Sequence, residues 1–89
     1  RMFEVAVRKS PDSEVANLNA ACALLEQGLT DQARPYLDKA GNSPQADNAR
    51  GVCLLLQKRY DEALRLLEQA FRGGVKEAEA NMQILKPDN

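Results

Sequence analysis

The sequence predicts an all-α fold, and three observations carry that prediction. Apolar residues recur at threes and fours along most of the chain, as on one stripe of a helix. No stretch sustains the apolar–polar alternation of a strand, and β-branched residues are few. The string QKRYDEALRLLEQA, residues 57–70, restates much of QGLTDQARPYLDKA, residues 27–40. At an offset of 30 residues, Ala33 stands against Ala63, Leu37 against Leu67, Ala40 against Ala70, Leu24 against Leu54 and Ala21 against Gly51. Core-type residues returning at a fixed period mark a unit whose apolar face is covered by its neighbour.

Each element has its own signals. Residues 14–27 place Val15, Leu18, Ala21, Cys22 and Leu25 on one helical stripe. Thr30 is expected to cap a second helix in which Ala33, Leu37 and Ala40 repeat the spacing, and Gly41 is placed to stop it. Pro35 lies near that helix's first turn. It lacks an amide donor and crowds a carbonyl, at a cost of up to about 3 kcal/mol in a helix interior, so a late or bent start is expected. Ser43 and Pro44 read as the cap and first position of a third helix, to about residue 58. Residues 61–72 make a fourth, ended by Gly73 and Gly74. Residues 75–86 make a fifth, barred from continuing by Pro87. Short connections make consecutive helices antiparallel neighbours.

At this point the chain resembles the tetratricopeptide repeat family, through Ala21 and Gly51, Leu24 and Leu54, Tyr60, and then Ala63, Leu67 and Ala70. Phe3, Ala6 and Pro11 match the large, small and proline positions that finish such a repeat. Ala6 to Ala40 and Phe3 to Leu37 both span 34 residues, the family period. Ala46 to Ala80 spans 34 again. The resemblance implies a TPR-like α-α superhelix of antiparallel helix pairs, about six helices in all, over one domain, residues 1–89. Within it, residues 1–11 form a trailing helix, 14–41 the first repeat, 44–73 the second, and 75–86 a capping helix. The spacing of 30 implies a turn between repeats shortened by about four residues. Thr30 stands where the family usually has an aromatic, and Ala21 where it has Gly. The run from Ala46 to Ala70, with EAEANMQILK after it, also resembles repeat segments at the C-terminal end of bacterial cell-envelope proteins. That suggests a periplasmic or outer-membrane-associated setting.

Composition narrows the function. The chain is 44% hydrophobic and 28% charged, with 12 Lys and Arg against 13 Asp and Glu. With no block of one sign, it lacks the electrostatic footprint of a nucleic-acid or membrane-surface binder. Its apolar runs, such as residues 52–56, fall far short of the roughly 20 residues that span a bilayer, so direct membrane insertion is not expected. No charged start followed by an apolar stretch suggests a signal peptide; a beginning at Arg1 in what reads as mid-element suggests a piece of something longer.

Catalysis finds no nominee. There is no histidine, the commonest general base and metal ligand. Ser10, Ser13 and Ser43 lie in proline-adjacent or capping contexts, and no glycine-rich loop follows a strand. Asp61 with Arg65 and Glu68 with Arg72 are four-apart pairs of the kind that decorate a solvated helix face. Cys22 and Cys53 fall one position out of register on neighbouring first helices, so both are expected as buried free thiols rather than as a bridge. No enzyme, metal or cofactor is therefore expected.

In the resembled family, the first helix of each repeat lines the concave face, and its exposed positions meet partners. By register, those positions are Val15, Leu18, Cys22, Leu25 and Glu26, then Gln45, Asn48, Val52, Leu55 and Leu56. Most are apolar, more hydrocarbon than a monomer usually leaves in water. Cover is expected from the final helix (Met82, Ile84, Leu85), from other parts of the parent chain, from a second copy, or from a peptide of another protein. The family's carboxylate clamp needs Lys, Asn and Arg on that face. Leu18, Cys22, Asn48 and Ala49 stand there instead, which disfavours the clamp. The expected role is a non-catalytic protein-interaction scaffold for an apolar peptide or partner segment. The alternative is a structural spacer or dimerisation module of a larger cell-envelope protein.

Overall fold

A computed structural model describes residues 13–85. Five helices occupy them: α1 (Glu14–Glu26), α2 (Thr30–Asp38), α3 (Pro44–Leu56), α4 (Tyr60–Arg72) and α5 (Glu77–Leu85). The described residues contain no strand. The trailing helix expected over residues 1–11, and the end of the last helix at residue 86, lie outside the described residues.

Local chemistry sets the boundaries. Ser13 and Ser43 cap α1 and α3, their hydroxyls accepting from the amides of Ala16 (3.2 Å) and Ala46 (3.1 Å). Pro44 occupies the first position of α3, where its missing N–H costs nothing. Thr30 does not cap α2. It is already helical, and Leu29, at the cap position, makes no side-chain bond. Nor does α2 start late. It begins at Thr30 and carries Pro35 inside it, so the amide that would bond the Asp31 carbonyl is absent.

The turns after α1, α3 and α4 share one closure. The amides of Leu29, Arg59 and Val75 reach back to the carbonyls of Leu24, Leu54 and Ala70 at 2.9, 2.9 and 3.0 Å. Each is the six-to-one bond of a Schellman motif, which needs a left-handed residue just before it. Gly28 and Gly74 supply it at φ 75 and 104°, but Lys58 adopts φ 65° with a full side chain.

Packing follows the repeat. α1 lies on α2 and α3 on α4, each pair joined by a tight turn and hence antiparallel; α3 also touches α1, α2 and α5, and α5 rests mainly on α4. One core cluster joins Ala21, Leu24 and Leu25 of α1, Ala33 and Leu37 of α2, and Ala49 and Cys53 of α3. A second joins Leu67, Ala70, Val75 and Ala78, with Met82 and Leu85 against it. The offset of 30 survives in burial: Ala33 and Ala63, Leu37 and Leu67, and Ala40 and Ala70 are all buried. The expected match of Ala46 with Ala80 does not hold. Ala80 is exposed, while Ala78, 32 residues after Ala46, is buried like it. The tight turn before α5 shifts the register by two.

Surface pairing also differs from expectation. The ion pairs among described residues are Arg50 with Asp47 at 3.8 Å and Arg59 with Glu62 at 2.7 Å, not Asp61 with Arg65 or Glu68 with Arg72. Arg50 bridges the two helix pairs, donating to the carbonyl of Leu37 at 2.6 Å near the end of α2. The Leu37 carbonyl already accepts the Ala40 amide at 3.2 Å, so the guanidinium adds a second, charge-assisted bond at the negative end of the helix.

Candidate functional site

Side by side, α1, α3 and α5 build one face of the molecule. Helical spacing places Val15, Leu18, Cys22 and Glu26 along it on α1, because steps of three and four keep side chains on one stripe. Val15 is 68% exposed, Leu18 is half-buried against the first core cluster, and Cys22 and Glu26 are exposed. Leu25 departs from expectation. It is buried, packed into the first core cluster with Ala49 and Cys53, so it forms the floor of the face rather than an exposed contact. On α3, Gln45 is exposed, Asn48, Val52 and Leu55 are half-buried, and Leu56 is 47% exposed.

Two depressions lie on this face. Cys22, Leu25, Glu26, Asn48, Ala49 and Val52 line a shallow cleft of about 200 Å³. Leu55, Leu56, Tyr60, Ile84 and Leu85 line a second of about 410 Å³. The sequence reading located most of the first. It named Ala49, a small residue that leaves room, only as a clamp position and not as a contact, and it assigned Tyr60 to filling between units. Between the clefts, the Asn81 side-chain amide donates to Asn48 Oδ1 at 3.1 Å and ties α5 to α3.

The final helix covers this face only in part. Met82 and Leu85 pack against the second core cluster rather than over Val15 and Leu56, which stay exposed, and Ile84 is itself 69% exposed. α5 rests on α4 through Ala78, Met82 and Leu85, and a helix can commit only one stripe to its neighbour.

The two thiols have different surroundings. Both are free, but only Cys53 is buried; Cys22 is exposed on the first cleft, against the expectation that both would be core. Position explains this, since Cys22 falls on the open stripe of α1 and Cys53 faces the interior between α2 and α3. Desolvation by surrounding residues pushes the Cys22 thiol above its ordinary value of 9.0, and the Glu26 carboxylate adds to the rise. Burial likewise pushes Cys53 up, with Arg34 opposing and Asp31 reinforcing. Neither is therefore an activated thiolate near neutral pH.

A third cleft, of about 190 Å³, lies among α2, α3 and the start of α4, lined by Arg34, Asp38, Arg50 and Arg59 over Leu37, Cys53, Leu54 and Leu66. Two of its guanidiniums are engaged, Arg50 on Leu37 O and Arg59 on Glu62. Among the described residues no group of His, Cys, Asp and Glu gathers as a metal site, and no helix is long and apolar enough to cross a membrane. Comparison with protein-family models, curated proteins and solved structures finds no match for this chain.

Proposed function

We propose that the chain is a TPR-like helical repeat whose inner face docks an apolar segment of a protein partner, without catalysis. The carrying observation is that Val15, Leu56 and Ile84 stay exposed on the face where α1, α3 and α5 lie together, beside two clefts floored by Leu25, Val52 and Leu55. The coincidence of burial at Ala33 and Ala63, and at Leu37 and Leu67, supports the stacked-repeat reading. In this reading apolar side chains of the partner enter the clefts, and burial stabilises the complex at about 25 cal/mol per Å² of apolar area. Gln45 and Glu26 stand at the rim, where polar contacts fix the direction of a bound chain.

The experiment is selection of binders from a displayed library of random peptides, followed by affinity measurement. Enrichment of apolar sequences is expected, with binding weakened at least tenfold by Val15→Asp or Leu56→Asp, which touch little of the core. Leu18→Asp and Leu55→Asp are less clean, because both side chains are half-buried. Selected peptides of no apolar bias, or equal binding by Leu56→Asp and the parent chain, would overturn the reading. A second reading, self-association through the same face, is favoured by the exposure of Ile84 and Leu56; sedimentation over a range of concentrations separates the two.

A further inference from the structure

The charge on the inner face identifies the kind of segment that fits it. Glu26 lines the first cleft on α1, beside Cys22. On α5, Glu77, Ala80, Asn81 and Ile84 follow the spacing of one helical stripe. Asn81 on that stripe bonds Asn48, and Ile84 lines the second cleft with Leu55 and Leu56. Glu77 therefore belongs to the same face, two turns before Ile84. Both glutamates are exposed, and neither pairs with a cation, since the ion pairs of the described residues are Arg50–Asp47 and Arg59–Glu62. Arg50 is turned toward α2 and Arg59 toward Glu62. Lys58 lies in the turn beyond α3, and Lys76 just before α5. Among the described residues, the helix stripes of the face thus carry carboxylates and no cation.

We infer that the partner is an apolar segment flanked by lysine or arginine, its cations meeting Glu26 at one corner of the face and Glu77 at the other. The inference rests on the docking role proposed above. Glu26 ends α1 and Glu77 begins α5. Glu26 shares the first cleft with Val52, and the Asn81–Asn48 bond sets Glu77 level with the start of α3. Two helix spacings of 8–10 Å across, and about two turns along, separate the glutamates by about 20 Å. An extended chain spans that in about six residues, within the reach of an octapeptide. The apolar middle of such a segment would lie over Ala49 and Val52 of the first cleft.

The test uses three fluorescein-labelled octapeptides with the same Leu/Ala middle and with Lys, Gln or Glu at both ends, titrated against the full chain. The Lys-ended peptide is expected to bind about tenfold more tightly than the Glu-ended one at low salt. That gap should shrink severalfold in 1 M NaCl, where screening reaches about 3 Å. Glu26→Gln and Glu77→Gln should each weaken the Lys-ended peptide about threefold, as exposed charge pairs do, and leave the Gln-ended peptide unchanged. Equal affinity for all three peptides would overturn the basic-partner inference while leaving apolar docking intact. Failure of all three to bind would overturn both. A stable dimer that Leu56→Asp dissolves would assign the face to a second copy and end the inference.

Discussion

Gly51→Ala tests the close approach on which the second helix pair depends. A Cβ at Gly51 would stand 2.7 Å from both Cγ and Cδ2 of Leu67, and 3.4 Å from the Ala63 carbonyl oxygen. Ordinary carbon contacts begin near 3.5 Å. Leu67 is fully buried, so it has no open space into which to swing. Two effects oppose each other. Ala in place of Gly within a helix gains about 1 kcal/mol, whereas overpacking a filled core costs about 1–3 kcal/mol. The clash is expected to win by about 1 kcal/mol, lowering Tm by about 4–8 °C in a domain of this size, measured by circular dichroism. Removing the obstacle should reverse the sign. In a Leu67→Ala background, itself weaker by about 2–5 kcal/mol, Gly51→Ala should stabilise, because only the propensity gain remains. The partner position offers a control, since Ala21 already fits a methyl there and Ala21→Gly should cost about 1 kcal/mol. Gly51→Ala leaving Tm unchanged or higher in the parent chain would refute the close packing of α3 on Leu67.

Other expectations follow from single contacts. Lys58→Gly should stabilise by about 0.5–1 kcal/mol in urea unfolding, because Lys58 occupies a left-handed conformation that Gly adopts freely. Ser43→Ala should cost about 1 kcal/mol through loss of the α3 cap, and Ser43→Asp much less. In the native chain, maleimide should label Cys22 and spare Cys53. The Cys22 rate should rise with pH up to and beyond 9 and be faster at a given pH in Glu26→Gln, as expected of a thiol raised first by desolvation and then by Glu26. Both thiols have folded pKa values above the ordinary 9.0, so their contribution to stability is complete below that value and is lost as pH climbs through the folded values. Alkaline unfolding midpoints should therefore fall less with pH in Cys53→Ala than in the parent.

Much of the architecture was legible because helix signals are local. Ser43 followed by Pro44 announces α3, and Gly73 with Gly74 ends α4, since capping depends on a few adjacent residues. Thr30 misled for an equally local reason. The preceding turn closes through the Leu29 amide on Leu24, so Thr30 is already inside the helix. Of the inner-face residues, Val15, Cys22 and Leu56 proved exposed, but Leu25 proved to be core. Register along α1 cannot tell whether a leucine meets water or the next helix.

By itself, the sequence determined the helices, their order and the offset of 30 that places Ala33 with Ala63 and Leu37 with Leu67, because periodicity and caps act within a turn or two. Tertiary structure alone decided how far α5 rotates: its packed stripe is buried Ala78 with half-buried Met82 and Leu85, which leaves Ile84 in water. It also decided that Leu25 and Cys22, three residues apart, have opposite fates. Burial on a stacked helix depends on the distance and angle of the neighbouring helix, which residues far along the chain set together.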